Sequence, residues 1–216
     1  MKFWSLAIVA AISAYGISPG ANARSITGQT GVAFEQTRMP VQGMTEAPIG
    51  HVRFCYRYPE ECGEVRHGDT EVFLTTVRWA ELSSVNNRIN DMIKPVSDDI
   101  QYGTIEHWTY HSSGQGDCED YVLLKKRKLV ALGWSSAALL ITVVRDENDE
   151  GHAVLTVRTH RGDLILDNKH SKILAWHNTP YTYIKRQSAF NQRKWESLIP
   201  LRDAPAIAAS GADSRR

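Results

Sequence analysis

Midway along the chain the apolar residues change their spacing, and this change constrains the fold more than any other feature. After Gly116-Asp117-Cys118 they recur at helical intervals, with Val122 and Leu129, and Leu123 and Val130, seven apart, up to a capping Gly133. From Ala138 the period becomes two. Ala138–Arg145 reads as a strand, Asp146–Gly151 as a turn and His152–Thr159 as a second strand; Arg161-Gly162-Asp163 then turns into Leu164-Ile165-Leu166-Asp167. Such short connections join antiparallel neighbours, because a parallel pair needs a crossover of about a dozen residues or more. A helix followed by a meander predicts an α+β domain, with the helix packed on an antiparallel sheet.

Flanking segments extend this reading. Phe73, Val77, Leu82, Val85, Ile89 and Met92 predict an earlier helix over Asp69–Ile93, stopped by Pro95, and Tyr181–Ser188 reads as a last strand. Lys125-Lys126-Arg127-Lys128 lies late in the central helix, where cations complement the dipole, and reads as a solvated face. The Arg-Gly-Asp triplet is ordinary hairpin chemistry rather than an adhesion signal. The domain is expected over residues 51–200, after an extended arm over 24–50 and before a disordered tail over 201–216.

The N-terminus reads as a secretory leader. Lys2 precedes a short apolar stretch, Ser18-Pro19-Gly20 breaks it, and Ala21-Asn22-Ala23 places the cleavage after Ala23. This predicts a periplasmic or secreted protein. With 25 Lys and Arg against 24 Asp and Glu, the charge balance argues against a nucleic-acid partner. A 42% hydrophobic content excludes a disordered chain.

Export gives the three cysteines meaning. Cys55 and Cys62 bracket a short proline-containing segment and are expected to oxidise to a disulfide, with a metal pair as the rival reading. Cys118 is then the odd thiol, in a segment too polar for a core and at a predicted helix N-terminus, where the dipole favours a thiolate. A nucleophilic thiol needs a base, and the base needs an orienting acceptor. His152 opens one strand and Asp167 ends its antiparallel neighbour, so the two ends meet; none of the other histidines among the eight has a carboxylate so mirrored. A structural histidine is the rival. His107 and His111 sit at helical spacing, but the glutamate of His-Glu-x-x-His is missing, which disfavours zinc.

Phe54-Cys-Tyr-Arg-Tyr-Pro-Glu-Glu-Cys62, Gly116-Asp-Cys-Glu-Asp-Tyr121, Gly151-His-Ala-Val-Leu155 and Leu166-Asp-Asn168 occur in an order that resembles the bacterial transglutaminase-like cysteine proteinases. The resemblance covers residues 50 to 190. It implies a transglutaminase-like, papain-related fold with nucleophile Cys118, base His152 and orienting Asp167. The Cys118 N–H is the expected oxyanion donor, with Gln101, Trp108 and Gln115 as further candidates. Periplasmic members of the family clip a cell-surface adhesin under an inner-membrane receptor, so the resemblance implies a protein substrate of that kind and such a receptor.

Two carboxylates beside the thiol, Asp117 and Glu119, should raise its pKa unless a cation cancels their charge. The resemblance identifies that cation as calcium, held by Asp117 and Glu119, with Asp120 a weaker candidate that could instead face solvent. The alternative is that these acids cap the helix. The expected activity is thiol-dependent peptide hydrolysis through an acyl-enzyme. The rivals are transglutaminase or amidase chemistry with the same residues, and a non-catalytic binding module.

Overall fold

The structure, a computed structural model, describes residues 37–65, 68–110 and 113–200. The leader, the first part of the arm, His111 and the tail over 201–216 lie outside the described residues. The strands are β1 (Gly43–Thr45), β2 (Lys94–Pro95), β3 (Gln115–Gly116), β4 (Leu139–Arg145), β5 (Gly151–Thr159), β6 (Gly162–Leu166), β7 (Leu174–Ala175), β8 (Thr182–Gln187) and β9 (Trp195–Ser197). The helices are α1 (Ile49–Arg57), α2 (Thr76–Met92), α3 (Asp98–Tyr102) and α4 (Cys118–Ala131).

Among the described residues one seven-stranded sheet has the order β1-β9-β8-β4-β5-β6-β7, antiparallel throughout. The β4-β5-β6 meander stands as the sequence predicts, and the fold is α+β. The last predicted strand, β8, returns to the free side of β4 instead of extending the meander beyond β6.

Both faces of the central strands are covered. Leu139, Ile141 and Val143 of β4, with Ala153, Leu155 and Val157 of β5, pack against Leu82, Val85 and Ile89 of α2 and Tyr121, Val122 and Leu129 of α4. Val144, Val154 and Ile165 meet Met39, Tyr181, Tyr183 and Leu198 on the opposite face. Each fully buried Leu or Ile contributes about 1.5–3 kcal/mol, so this two-sided core fixes where the ends of β5 and β6 lie.

Helix α4 ends as its glycine predicts. Gly133 takes φ +82°, Trp134 N–H reaches the Leu129 carbonyl at 3.1 Å and Gly133 N–H reaches Val130 at 2.9 Å, a Schellman closure. Two expectations need correction. The earlier helix starts at Thr76, not Asp69, because the Thr75 hydroxyl caps Arg78 N–H at 3.1 Å while Val72 bridges to Thr159. Phe73 is therefore outside the helix and exposed, while Val77 and Met92 lie within it on a face turned from the core. The basic run is not a solvated face throughout: Lys125 and Lys126 are buried, the latter donating to Gln187 Oε1 at 2.5 Å, because α4 is flanked by α2 and the sheet.

Candidate active site

Three tertiary features bring the N-terminus of α4 to the head of β5. Strand β3 pairs with β2, which continues from the end of α2, so the residues before Cys118 are held at both ends. Gly116 is needed there: a Cβ would lie 2.6 Å from Asp120 Oδ2. The Ala153 N–H, next to His152 in β5, then bonds the Cys118 sulfur.

His152 Nε2 donates to Asp167 Oδ1 at 2.8 Å, and both side chains are buried. Asp167 follows the last residue of β6 and lies outside its ladder, since the β5–β6 pairing runs only to Leu155↔Leu166. Side groups hold it instead. Asn90 Nδ2 of α2 donates to its carbonyl at 2.8 Å, Lys169 N–H to its Oδ1 at 3.0 Å, and the Tyr181 hydroxyl to its Oδ2. Burial alone would raise the Asp167 pKa, but the bonds from His152, Tyr181 and Lys169 outweigh it and hold the carboxyl below its ordinary range. An ionised Asp167 keeps the proton of His152 on Nε2, so Nδ1 is the ring nitrogen available to take a proton.

Beside the thiol is a buried group of carboxylates. Asp98, Asp117 and Glu119 bring oxygens within 4.8 Å of one another, with Asp120 and Glu106 alongside. Burial pushes Asp117 up to about 6 and Asp120 up to about 8, and Glu119 well above its usual range, where Asp117 adds repulsion. The Cys118 thiol donates to Glu119 Oε2 at 3.2 Å; burial, then Glu119 and Asp117, push its pKa well up. Asp117 occupies the N-cap position of α4 without a side-chain cap bond, so capping does not account for its carboxylate. Both its oxygens, with Asp98 Oδ1 and Glu119 Oε1, are buried without a well-formed hydrogen bond among the described residues, although the Asp98 N–H and the Glu119 carboxyl lie close enough to Asp117 to lower its pKa in part. Such a donor set fits a hard, oxygen-seeking cation. Asp120 does not face solvent: it is buried, and its Oδ1 accepts the Thr109 N–H at 3.0 Å.

The further oxyanion candidates fare differently. The Trp108 indole N–H is spent on Glu106 Oε2 at 3.0 Å, and one of the two N–H groups of the Gln101 amide donates to Ser113 Oγ at 2.9 Å. Gln115 is exposed on β3. His107 packs against Tyr102 with the two rings tilted, and His111, the other member of the pair for which zinc is disfavoured, is outside the described residues. Cys55 and Cys62 form a disulfide with Cα atoms 5.5 Å apart. Asp163 of the Arg-Gly-Asp triplet is buried against Arg186, unavailable to an adhesion partner. Sequence reasoning missed Asn90, Asp98, Glu106, Lys169 and Tyr181; apart from the nearness of Lys169 to Asp167, no local pattern marks them.

Residues 41–203 match the family described as bacterial transglutaminase-like cysteine proteinase BTLCP. Among solved structures the chain resembles Legionella pneumophila LapG in three forms: calcium-bound at 28% identity, LapG itself at 29% and EGTA-treated at 29%. Each match covers 51% of this chain with a TM-score of 0.46, and 65%, 64% and 63% of the respective LapG chains, less than two-thirds of their length. No curated protein matches the chain.

Proposed function

The chain belongs to the bacterial transglutaminase-like cysteine proteinases, and on that premise we propose that it is an exported thiol peptidase acting through Cys118, His152 and Asp167. The observation that carries the proposal is the buried 2.8 Å bond from His152 Nε2 to Asp167, made where the β5 head meets the N-terminus of α4. His152 Nδ1 takes the thiol proton, and the sulfur attacks a substrate carbonyl. The Cys118 N–H at the helix start stabilises the developing oxyanion. Protonated His152 then gives its proton to the leaving amine as the peptide C–N bond breaks, leaving a thioester. His152 next draws a proton from water, whose oxygen displaces the thiolate and releases the acid. Asp167 holds the imidazole in the required tautomer throughout.

Asp98, Asp117 and Glu119 are the residues that would hold calcium. Bound there, the ion supplies positive charge that offsets the carboxylates now raising the thiol pKa. The leader reading supports export to the periplasm or beyond, and membership of the family supports a protein substrate; a substrate of the surface-adhesin kind and a regulating membrane receptor rest on the family resemblance alone.

Incubating a proteome-derived peptide library with the enzyme and with Cys118→Ala, in calcium and with cadaverine as a competing amine, tests this reading. Hydrolysed peptides that appear only with the unaltered protein are expected. Predominant cadaverine adducts would make it an acyl transferase, and no product at all a binding module.

A further inference from the structure

Asp167 stands on a segment that has left the sheet, and something must bring it back to His152. The Lys169 ammonium forms an ion pair with Asp146 Oδ2, across the gap between the chain leaving β6 and the β4–β5 turn that feeds into His152. Asp146 is built to be a fixed anchor. Its side chain is fully buried, its Oδ1 accepts the Asn148 and Glu150 N–H groups at 2.9 Å each, and its own N–H bonds the Glu150 carbonyl at 3.0 Å. Only Oδ2 is left to reach outward, and Lys169 takes it. Lys169 also donates its backbone N–H to Asp167 Oδ1, the same oxygen that receives His152.

We propose that the Asp146–Lys169 ion pair is a positioning clamp that holds Asp167 in register with His152, making Lys169 and Asp146 positioning residues for the peptidase. The inference rests on the assignment of Cys118, His152 and Asp167 given above. Two of the other ties on this segment come from the helical layer: Asn90 grips the Asp167 carbonyl at 2.8 Å and Asn86 the Ser171 carbonyl at 3.0 Å, both from α2. They fix the segment to the helical layer but not to the hairpin that carries His152. Tyr181 fixes the far oxygen of Asp167. Tyr181 holds it from the start of β8, beside β4, and the clamp adds the tie to the β4–β5 turn that leads into His152, which none of these bonds reaches. The charges around Lys169 agree with this assignment: Asp146 holds its pKa above the ordinary lysine value despite partial burial, with Cys118 and Glu147 also within electrostatic reach.

Removing Lys169 leaves the buried Asp146 Oδ2 without its cation and lowers stability, so the test reads rate, where a small misplacement of a catalytic group costs steeply. The test uses the full chain and a fluorogenic peptide built on a sequence that the library shows to be cleaved. Lys169→Met, assayed well below a melting temperature that falls as buried Asp146 loses its partner, should lower kcat about tenfold or more with KM within about threefold. Asp146→Asn keeps the acceptor for the turn N–H groups but loses the charge, and should match that loss. The double variant should be no worse than either single one, as for groups acting as a unit, and Lys169→Arg should recover most of the rate. Independently of turnover, the downfield imidazole N–H resonance of His152 should broaden or vanish in Lys169→Met and return in Lys169→Arg. An unchanged kcat and an unchanged resonance in Lys169→Met, with Cys118→Ala inactive, would overturn the clamp and leave the catalytic assignment standing. Full activity of Cys118→Ala would instead remove that assignment, and the resonance would still decide the clamp.

Discussion

If calcium sits as proposed in the carboxylate group beside Cys118, removing it should expose a pH-dependent penalty there. In the metal-free protein burial raises Asp117 from 3.8 to about 6 and Asp120 from 3.8 to about 8. A carboxyl whose folded pKa is raised contributes fully to stability below its unfolded pKa, and that contribution is lost as pH rises through the folded value. These two groups therefore make the metal-free protein less stable as pH climbs from about 4 to about 8. For Asp117 alone the change corresponds to about 3 kcal/mol, at about 1.4 kcal/mol per pH unit. A cation competes with the same protons. At pH 5 Asp117 is mostly protonated and at pH 7 mostly ionised, so its titration alone should weaken calcium binding about tenfold between pH 7 and pH 5, or about 1.4 kcal/mol. Glu119, raised well above its usual range, acts in the same direction. Isothermal titration of EGTA-stripped protein at the two pH values, with melting curves in EGTA and in calcium, would measure both effects. Calcium should raise the melting temperature more at pH 8 than at pH 5. Affinity that is equal at the two pH values, or higher at pH 5, would refute the claim that these carboxylates bind the ion.

Further outcomes follow from the packing around the site. Cys55→Ser should destabilise the protein by about 2–3 kcal/mol, the loop-entropy value for so short a ring, and non-reducing peptide mapping should find Cys55 joined to Cys62. Gly50→Ala should cost about 1–3 kcal/mol through overpacking, because the new Cβ would lie 2.3 Å from Trp108 Cδ1; chemical denaturation measures this, and a neutral result would mean that Trp108 is not held as described. Asp167→Ala should lower kcat less than His152→Ala, since an orienting group usually matters less than the base itself; kinetics on a cleaved peptide would decide.

The meeting of His152 with Asp167 is legible in the sequence because two short turns force three consecutive strands to alternate in direction, and the start of one then lies beside the end of the next. The start and stop of α4 are legible for a similar local reason, with Gly116 before it and Gly133 after it. What supports Asp167 is not legible. Asn90 lies 77 positions away on another helix, and nothing around it differs from an ordinary polar helix position. Nor does the basic run reveal that Lys125 and Lys126 lie under neighbouring elements; burial there lowers both lysines to about 7, a tertiary effect. The false start of α2 has the same origin. Phe73 and Val77 keep helical spacing, but Val72 finds a partner in Thr159 and Phe73 stacks on His160 at 4.1 Å, so the chain stays extended until Thr75 caps the helix.

A covalent acyl-enzyme on Cys118 can be trapped by acid quench of the enzyme in calcium during turnover of a cleaved peptide, followed by mass spectrometry. The acyl half of the substrate is expected on the peptide that contains Cys118, with no adduct or turnover in Cys118→Ala. Sustained cleavage by Cys118→Ala, with no acyl group on Cys118 in the unaltered enzyme, would contradict acyl-enzyme catalysis.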